Sequence, residues 1–477
     1  MPSILTDAAQ RANRYLDGVS QRSVVPRPEA VRGLEQLDRP LDEAGEPPER
    51  VLARLDELGS PATVASAGGR YFGFVIGAGL PVALAANWLA GAWNQNSALE
   101  VMSPTAARLE RTAVEWTRGL LDLPKEARGA FVTGDTMGNF AGLAAARQEV
   151  LRAAGHDLAA QGMSGAPPIT VIVGDEVHVS MMRVISLLGF GKERVVRVPV
   201  DEQGRMRADR LPRITGPTIV CTQAGNVNTG SFDPVGEICD RVRGTGAWVH
   251  VDGAFGLWAR AAPRRRHLAE GVDRADSWAL DGHKWLNVPY DSGIAFVRNG
   301  PALRSAMAAS SAAYLPTTED GDLMEYTPEM SRRARGVDAW AALRFLGRAG
   351  VADLVERCCQ HADRFSRRLS EAGFRILNDV VLNQVLVSFG SDDLTRRVIS
   401  EVQREGTCWC GGTVWHGTAA MRISVSSWAT TESDVDQSVD AMIRAVARVK
   451  GQRRATHPTS PNATKRKVPR SRRRASK

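Results

Sequence analysis

Seven short apolar runs punctuate the middle of the chain, at residues 130–132, 169–173, 195–200, 218–221, 247–251, 277–280 and 293–297. Stretches long enough for helices separate most of them. Apolar runs without polar alternation belong to strands covered on both faces. Their alternation with helices predicts an α/β fold with a mainly parallel, doubly wound sheet. Antiparallel pairing of one edge strand stays open. Apolar residues recur at helical spacing from 103 to 121, through Ala107, Leu109, Val114, Trp116 and Leu120, and again from 140 to 151.

After Arg298 the pattern loosens. Residues 306–327 are rich in Ser, Thr, Asp and Gly and read as a mobile loop. Helical runs follow at 337–346 and 353–372, then candidate strands at 380–389 and 421–425. Residues 1 to about 60 mix helical patches with Pro-rich turns and lack a core pattern of their own. The expected organisation is an N-terminal arm (1–75), a large domain (76–305) and a loop and connection (306–335). A small α+β domain (336–449) and a basic tail (450–477) complete it.

Composition narrows this picture without changing it. The chain has 477 residues, 43% of them hydrophobic, which suits a soluble protein of two or three structural units. Its net charge of +8 invites a nucleic-acid reading, but residues 450–477 hold eleven Lys or Arg and no acid. Without them the remainder carries −3. The basicity therefore belongs to a solvated tail, and no specific nucleic acid is expected. No apolar stretch is long enough for a membrane span, and residues 1–17 lack a signal-peptide layout. The six cysteines form no CxxC pair, so neither a metal nor a disulfide framework is expected, and a cytoplasmic location is.

The chemistry concentrates where strands end. His250-Val251-Asp252-Gly253-Ala254 closes one apolar run, and Asp281-Gly282-His283-Lys284-Trp285 closes another, with Lys284 32 residues beyond Asp252. A lysine can hold the aldehyde of pyridoxal phosphate as a Schiff base. A carboxylate can keep its ring nitrogen protonated, which makes the ring an electron sink. Apolar neighbours around Lys284 predict partial burial, and burial by itself lowers a lysine pKa. Val132-Thr133-Gly134-Asp135-Thr136-Met137-Gly138-Asn139 is a strand-to-helix turn of small residues. It suits an anion at a helix N-terminus, and equally a tight turn with Thr136 as cap. His178 follows the strand at 169–173, where an imidazole could stack on a planar ligand or simply cap a helix.

In that order (turn, histidine, aspartate, lysine) the chain resembles the group II pyridoxal-phosphate-dependent amino-acid decarboxylases, from about Arg70 to about Val439. These belong to the fold-type-I aspartate aminotransferase superfamily. The resemblance implies a seven-stranded sheet flanked by helices, and a homodimer with its active site at the subunit interface. It places Asp135 and Thr136 in the phosphate turn, with His283 as a further phosphate contact. It stacks His178 on the ring, pairs Asp252 with the ring nitrogen and packs Ala254 on the other face. Lys284 forms the Schiff base, while Asn226 and Ser277 lie in further motifs near the cofactor. Two departures stand out. The usual Gly-Gly-Thr/Ser-Glu-Ala-Asn turn reads Gly-Asp-Thr-Met-Gly-Asn, so the Asp135 carboxylate must point away from a phosphate. The usual Asp-Ala-Ala reads Asp252-Gly253-Ala254.

Tyr314, 30 residues past Lys284, resembles the family's loop tyrosine, which protonates Cα after CO2 leaves. That favours decarboxylation of an L-amino acid to its amine. Decarboxylative oxidative deamination to an aldehyde, or transamination, is the alternative. On the substrate side the resemblance points to Phe72 and Asn94, with Trp88 and Trp93 leaning toward an aromatic or apolar amino acid. Arg422 matches a motif whose arginine meets a carboxylate, and Arg335 could structure the site or meet the substrate.

Overall fold

The structure, a computed structural model, describes residues 2–308 and 321–456. Tyr314 and most of the basic tail lie outside the described residues.

All seven apolar runs are strands of one sheet: β1 (Arg128–Val132), β2 (Thr170–Gly174), β3 (Val196–Val198), β4 (Thr218–Gln223), β5 (Trp248–Asp252), β6 (Ser277–Asp281) and β7 (Gly293–Val297). Their spatial order is β1-β7-β6-β5-β4-β2-β3. β4, β5, β6 and β7 are buried along their whole lengths, which explains why their sequences show no alternation. The reversed strand is not at an edge. β7 pairs antiparallel with both β6 and β1 and sits second from the border. Only residues 282–292 join β6 to β7, too short for a parallel crossover, so the chain must turn back. That return loop carries Lys284.

Four helices position the site. They are α1 (Pro81–Trp93), α2 (Pro104–Leu120), α3 (Asp135–Ala153) and α4 (Val179–Leu187). α3 starts two residues after β1 and lies hard against the sheet. A Cβ on Gly138 would come within 2.9 Å of Ala279 Cβ, and one on Gly142 within 2.7 Å of the His250 ring. Glycine at these two positions permits that close approach.

The smaller sheet has the order β10-β11-β9-β8, antiparallel throughout, from β8 (Arg375–Ile376), β9 (Gln384–Ser388), β10 (Gly411–Trp415) and β11 (Thr418–Ser424). The long helix α5 (Arg335–Glu371) breaks its helical geometry at Gly347, between the two predicted runs. Residues 71–80 thread between the sheets. Tyr71 bridges to Trp409, and Leu80 N donates to the Asn287 carbonyl in the Lys284 loop. The short helices Pro28–Gly33 and Pro48–Arg54 bury no residue.

Candidate active site

Lys284 lies three residues past the end of β6, with its Nζ 3.0 Å from Asp281 Oδ2. The other Asp281 oxygen accepts the Asp135 backbone N–H at 2.6 Å and sits 3.4 Å from His283 Nε2. One carboxylate thus grips the lysine, the adjacent histidine and the first amide of α3. Burial works against the Lys284 charge, but Asp281, Asp135 and Asp252 outweigh it and hold the lysine above its ordinary value. The expectation of a lowered lysine pKa is therefore corrected, because three carboxylates surround one amine.

Asp252 ends β5 and is 6% exposed. Its Oδ2 accepts from Asn139 Nδ2 at 3.2 Å, and its Oδ1 from the Ala254 amide at 3.2 Å. Ala254 is half-buried beside it, and its carbonyl receives the Asp281 amide. His178 is the N-cap of α4, where its Nδ1 accepts the Ser180 amide at 3.3 Å. An amide can only donate, so the ring proton belongs on Nε2. Burial pushes this imidazole below its ordinary value, and Asp252, Lys284 and Arg422 are among the charges that act on it. His178 is both a helix cap and a neutral ring among the site's charges. The two readings of the sequence are compatible.

His283 accepts the Ser292 amide on Nδ1, and its ring stacks on Tyr290 with centroids 4.2 Å apart. Asp135 and Thr136 open α3, and Thr136 is half-buried. The Asp135 carboxyl turns along the helix to Asn139 Nδ2 (2.8 Å). Asn226 closes its own turn, its Oδ1 accepting the amides of Asn228 and Thr229. Two buried polar atoms here, Asn226 Nδ2 and Asp135 Oδ1, have no protein partner. Arg422, on β11, makes no ion pair or side-chain hydrogen bond among the described residues, and burial lowers its pKa. A half-buried guanidinium without a carboxylate partner suits an anionic ligand.

Three expected site residues fall elsewhere. Ser277 begins β6, about 13 Å along the strand from Asp281. It is fully buried and bonded to His250 Nδ1 (2.7 Å) and Trp248 Nε1 (2.8 Å). Phe72 is a core residue, edge-on to Phe365 at 5.0 Å, while its neighbours Tyr71 and Phe74 both stack on Trp409. Asn94 is exposed at the left-handed C-cap of α1. Arg335 pairs with Asp291 at 2.9 Å and so structures the Lys284 loop.

Asp281, Asn139, His250 and Tyr290 were not singled out from sequence. Signals for three of them existed: Asp281 lies at i−3 from Lys284, Asn139 at i+4 from Asp135, and His250 at i−2 from Asp252 on the same strand face.

The donor set fits pyridoxal phosphate: a lysine amine among carboxylates, a buried carboxylate beside it, a neutral imidazole and a helix N-terminus. Comparison with known proteins agrees. The pyridoxal-dependent decarboxylase conserved domain matches residues 61–390. The aromatic-L-amino-acid decarboxylase of Bacillus atrophaeus is 26% identical over 386 residues, 76% of this chain and 78% of that protein. The L-2,4-diaminobutyrate decarboxylase of Rhizobium meliloti (strain 1021) is 28% identical, over 87% of this chain and 85% of its own. In fold the chain is similar to the crystal structure of Oryza sativa TDC with PLP and tryptamine. The TM-score is 0.87 at 22% identity, covering 94% and 98% of the two chains. The chain belongs to the pyridoxal-dependent decarboxylase family. It is a pyridoxal-phosphate-dependent amino-acid decarboxylase, a carboxy-lyase.

Proposed function

We propose that the substrate is an aromatic or apolar L-amino acid, that the product is its amine, and that the enzyme works as a homodimer. The observation that carries the site reading is Lys284 held at 3.0 Å by Asp281, with Lys284 and a half-buried Arg422 both among the charges acting on His178. Bound pyridoxal phosphate supplies the electron sink for the pair of electrons that CO2 leaves behind. Lys284 would anchor it covalently, and Asp252 would keep its ring nitrogen protonated. The Thr136 amide and hydroxyl, with His283, would receive the phosphate at the start of α3. Neutral His178 offers a flat face and an Nε2–H, and Asn226 offers its free Nδ2.

Arg422 would fix the substrate carboxylate and with it the bond that breaks. Tyr314, outside the described residues, is the proposed proton donor to Cα. Residues 71–80 support an aromatic preference. A Cβ on Gly77 would overlap the Lys284 carbonyl, so this segment lies directly against the lysine. Its Tyr71 and Phe74 stack on Trp409 at 5.2 and 5.3 Å. Tyr290 adds a ring beside His283.

α1 leaves Trp88, Leu89 and Trp93 exposed, with Val101 and Met102 beyond its end. Such a patch suits a second copy of the chain, which would bring the Asn94 region toward a subunit interface. Six free, buried cysteines suit the proposed cytoplasmic location. Among the described residues no helix is long and apolar enough to cross a membrane.

The test is mass spectrometry of products from the cofactor-loaded enzyme with a panel of amino acids. An amine from an aromatic or apolar substrate is expected. Aldehyde or keto acid without amine would establish the alternative chemistry, and turnover of acidic substrates alone would refute the proposed preference.

A further inference from the structure

Asp135 stands where the family's phosphate turn carries glycine, yet its carboxyl is directed elsewhere. It is 6% exposed, and Oδ2 meets the same Asn139 Nδ2 that meets Asp252 Oδ2, at 2.8 and 3.2 Å. Carboxylates accept, so the amide nitrogen of Asn139 must face both of them. Its Oδ1 then faces His250 Nε2 (2.7 Å), which must carry a proton. His250 Nδ1 is left to accept from the Ser277 hydroxyl, and Ser277 Oγ in turn accepts the Trp248 indole N–H. Every donor in this row has one direction, and His250 is neutral, its pKa pushed down by burial to about 3. The row therefore fixes Asn139 in one orientation.

We propose that Asp135 is a second carboxyl of the cofactor-ring end of the site, a positioning residue that acts on Asp252 through Asn139 and not a phosphate ligand. Its backbone belongs to the other end, since its amide is bound by the Asp281 carboxylate that grips Lys284. One residue thus links the ring carboxylate to the lysine. Burial, then Asp252 and Asp281, hold the Asp135 carboxyl well above the ordinary range. Its buried Oδ1 has no protein partner.

This inference rests on Lys284 and Asp252 being the cofactor's lysine and ring carboxylate. The experiment titrates cofactor-stripped enzyme with pyridoxal and, separately, with pyridoxal 5′-phosphate. If Asp135 serves the ring, Asp135→Ala weakens both about tenfold and leaves their ratio unchanged. Asp135→Asn keeps an oxygen for Asn139 and recovers most of the loss. In an Asn139→Ala background, Asp135→Ala adds less than about twofold, because the two residues act as one unit. A change confined to the phosphorylated form would return Asp135 to the phosphate turn and overturn the proposal. Unchanged or tighter binding of both forms would overturn it too. Lys284→Ala separates the two readings: if it binds both forms as the parent does, the site assignment falls and this inference with it.

Discussion

Two clusters of buried charge lie on either side of β1, and they are built on opposite principles. Between α2 and the segment before α5, Arg332 and Glu110 are both wholly buried and meet at 2.8 Å. Each is also tied to the β1 backbone, Glu110 Oε1 accepting the Phe131 amide while Arg332 donates to the Phe131 carbonyl. One positive charge faces one negative charge, and main chain binds both. At the carboxyl ends of β5 and β6, by contrast, Asp135, Asp252 and Asp281 surround the single Lys284 amine. Both clusters leave buried polar atoms without a protein partner, Glu110 Oε2 with Arg332 Nε and Nη1 in the first and Asp135 Oδ1 in the second, so what differs is the charge balance. Charge balance, more than burial, separates a structural ion pair from a site prepared for a ligand.

Removing the cation from each cluster tests that distinction most severely. Lys284→Ala should lower decarboxylation by at least about three orders of magnitude, since no other residue replaces a Schiff-base amine. Product assay with full-length protein measures it, and near-parental turnover would end the site reading. Breaking the balanced pair should act on folding instead. Glu110→Gln leaves Arg332 buried without its counter-charge and should cost about 3–5 kcal/mol of stability. Denaturant unfolding would show the loss, while the folded fraction binds pyridoxal phosphate as before. If cofactor affinity fell and stability held, the two clusters would not be separable.

A subtler change rebalances the second cluster. Asp281 is the first of the charges that raise Lys284, so Asp281→Asn should lower the lysine's pKa. Cofactor capture requires the neutral amine, and its rate should rise at lower pH in the variant. Linkage gives the matching sign in stability. A lysine raised above its ordinary 10.5 contributes stability that is complete below that value and lost as pH climbs through the folded one. Alkaline unfolding of cofactor-free Asp281→Asn should therefore begin at lower pH. An unchanged capture profile would remove Asp281 from the account.

The sheet was legible because each of its seven strands is a short apolar run. β8 and β10 were not: one has two residues, and the other is Gly-Gly-Thr-Val-Trp with most of its positions open to solvent. That Lys284, Asp252 and His178 lie near one another was legible because each follows the end of a parallel strand, where open sheets of this kind leave a crevice. Asp281 escaped notice since its bond to the first amide of α3 is a contact that only the folded sheet creates. For Phe72 and Asn94 too the sequence shows the segment but not the packing: the first is buried against Phe365, and a helix end exposes the second in the single chain.

Ser277 provides the smallest and sharpest comparison, because its sequence motif placed it with the cofactor and its position places it with the framework. Its hydroxyl accepts from Trp248 and donates to His250, so Ser277→Ala leaves two buried ring nitrogens without partners. That should cost about 1–2 kcal/mol, seen as a lower Tm. His250 can still present Nε2–H to Asn139, so affinity for pyridoxal phosphate should stay within about threefold of the parent. A tenfold loss of affinity with unchanged Tm would put Ser277 in contact with the cofactor after all. The reverse pattern would show that the row from Trp248 to Asn139 belongs to the framework, and that ligand chemistry begins only at the two carboxyls it orients.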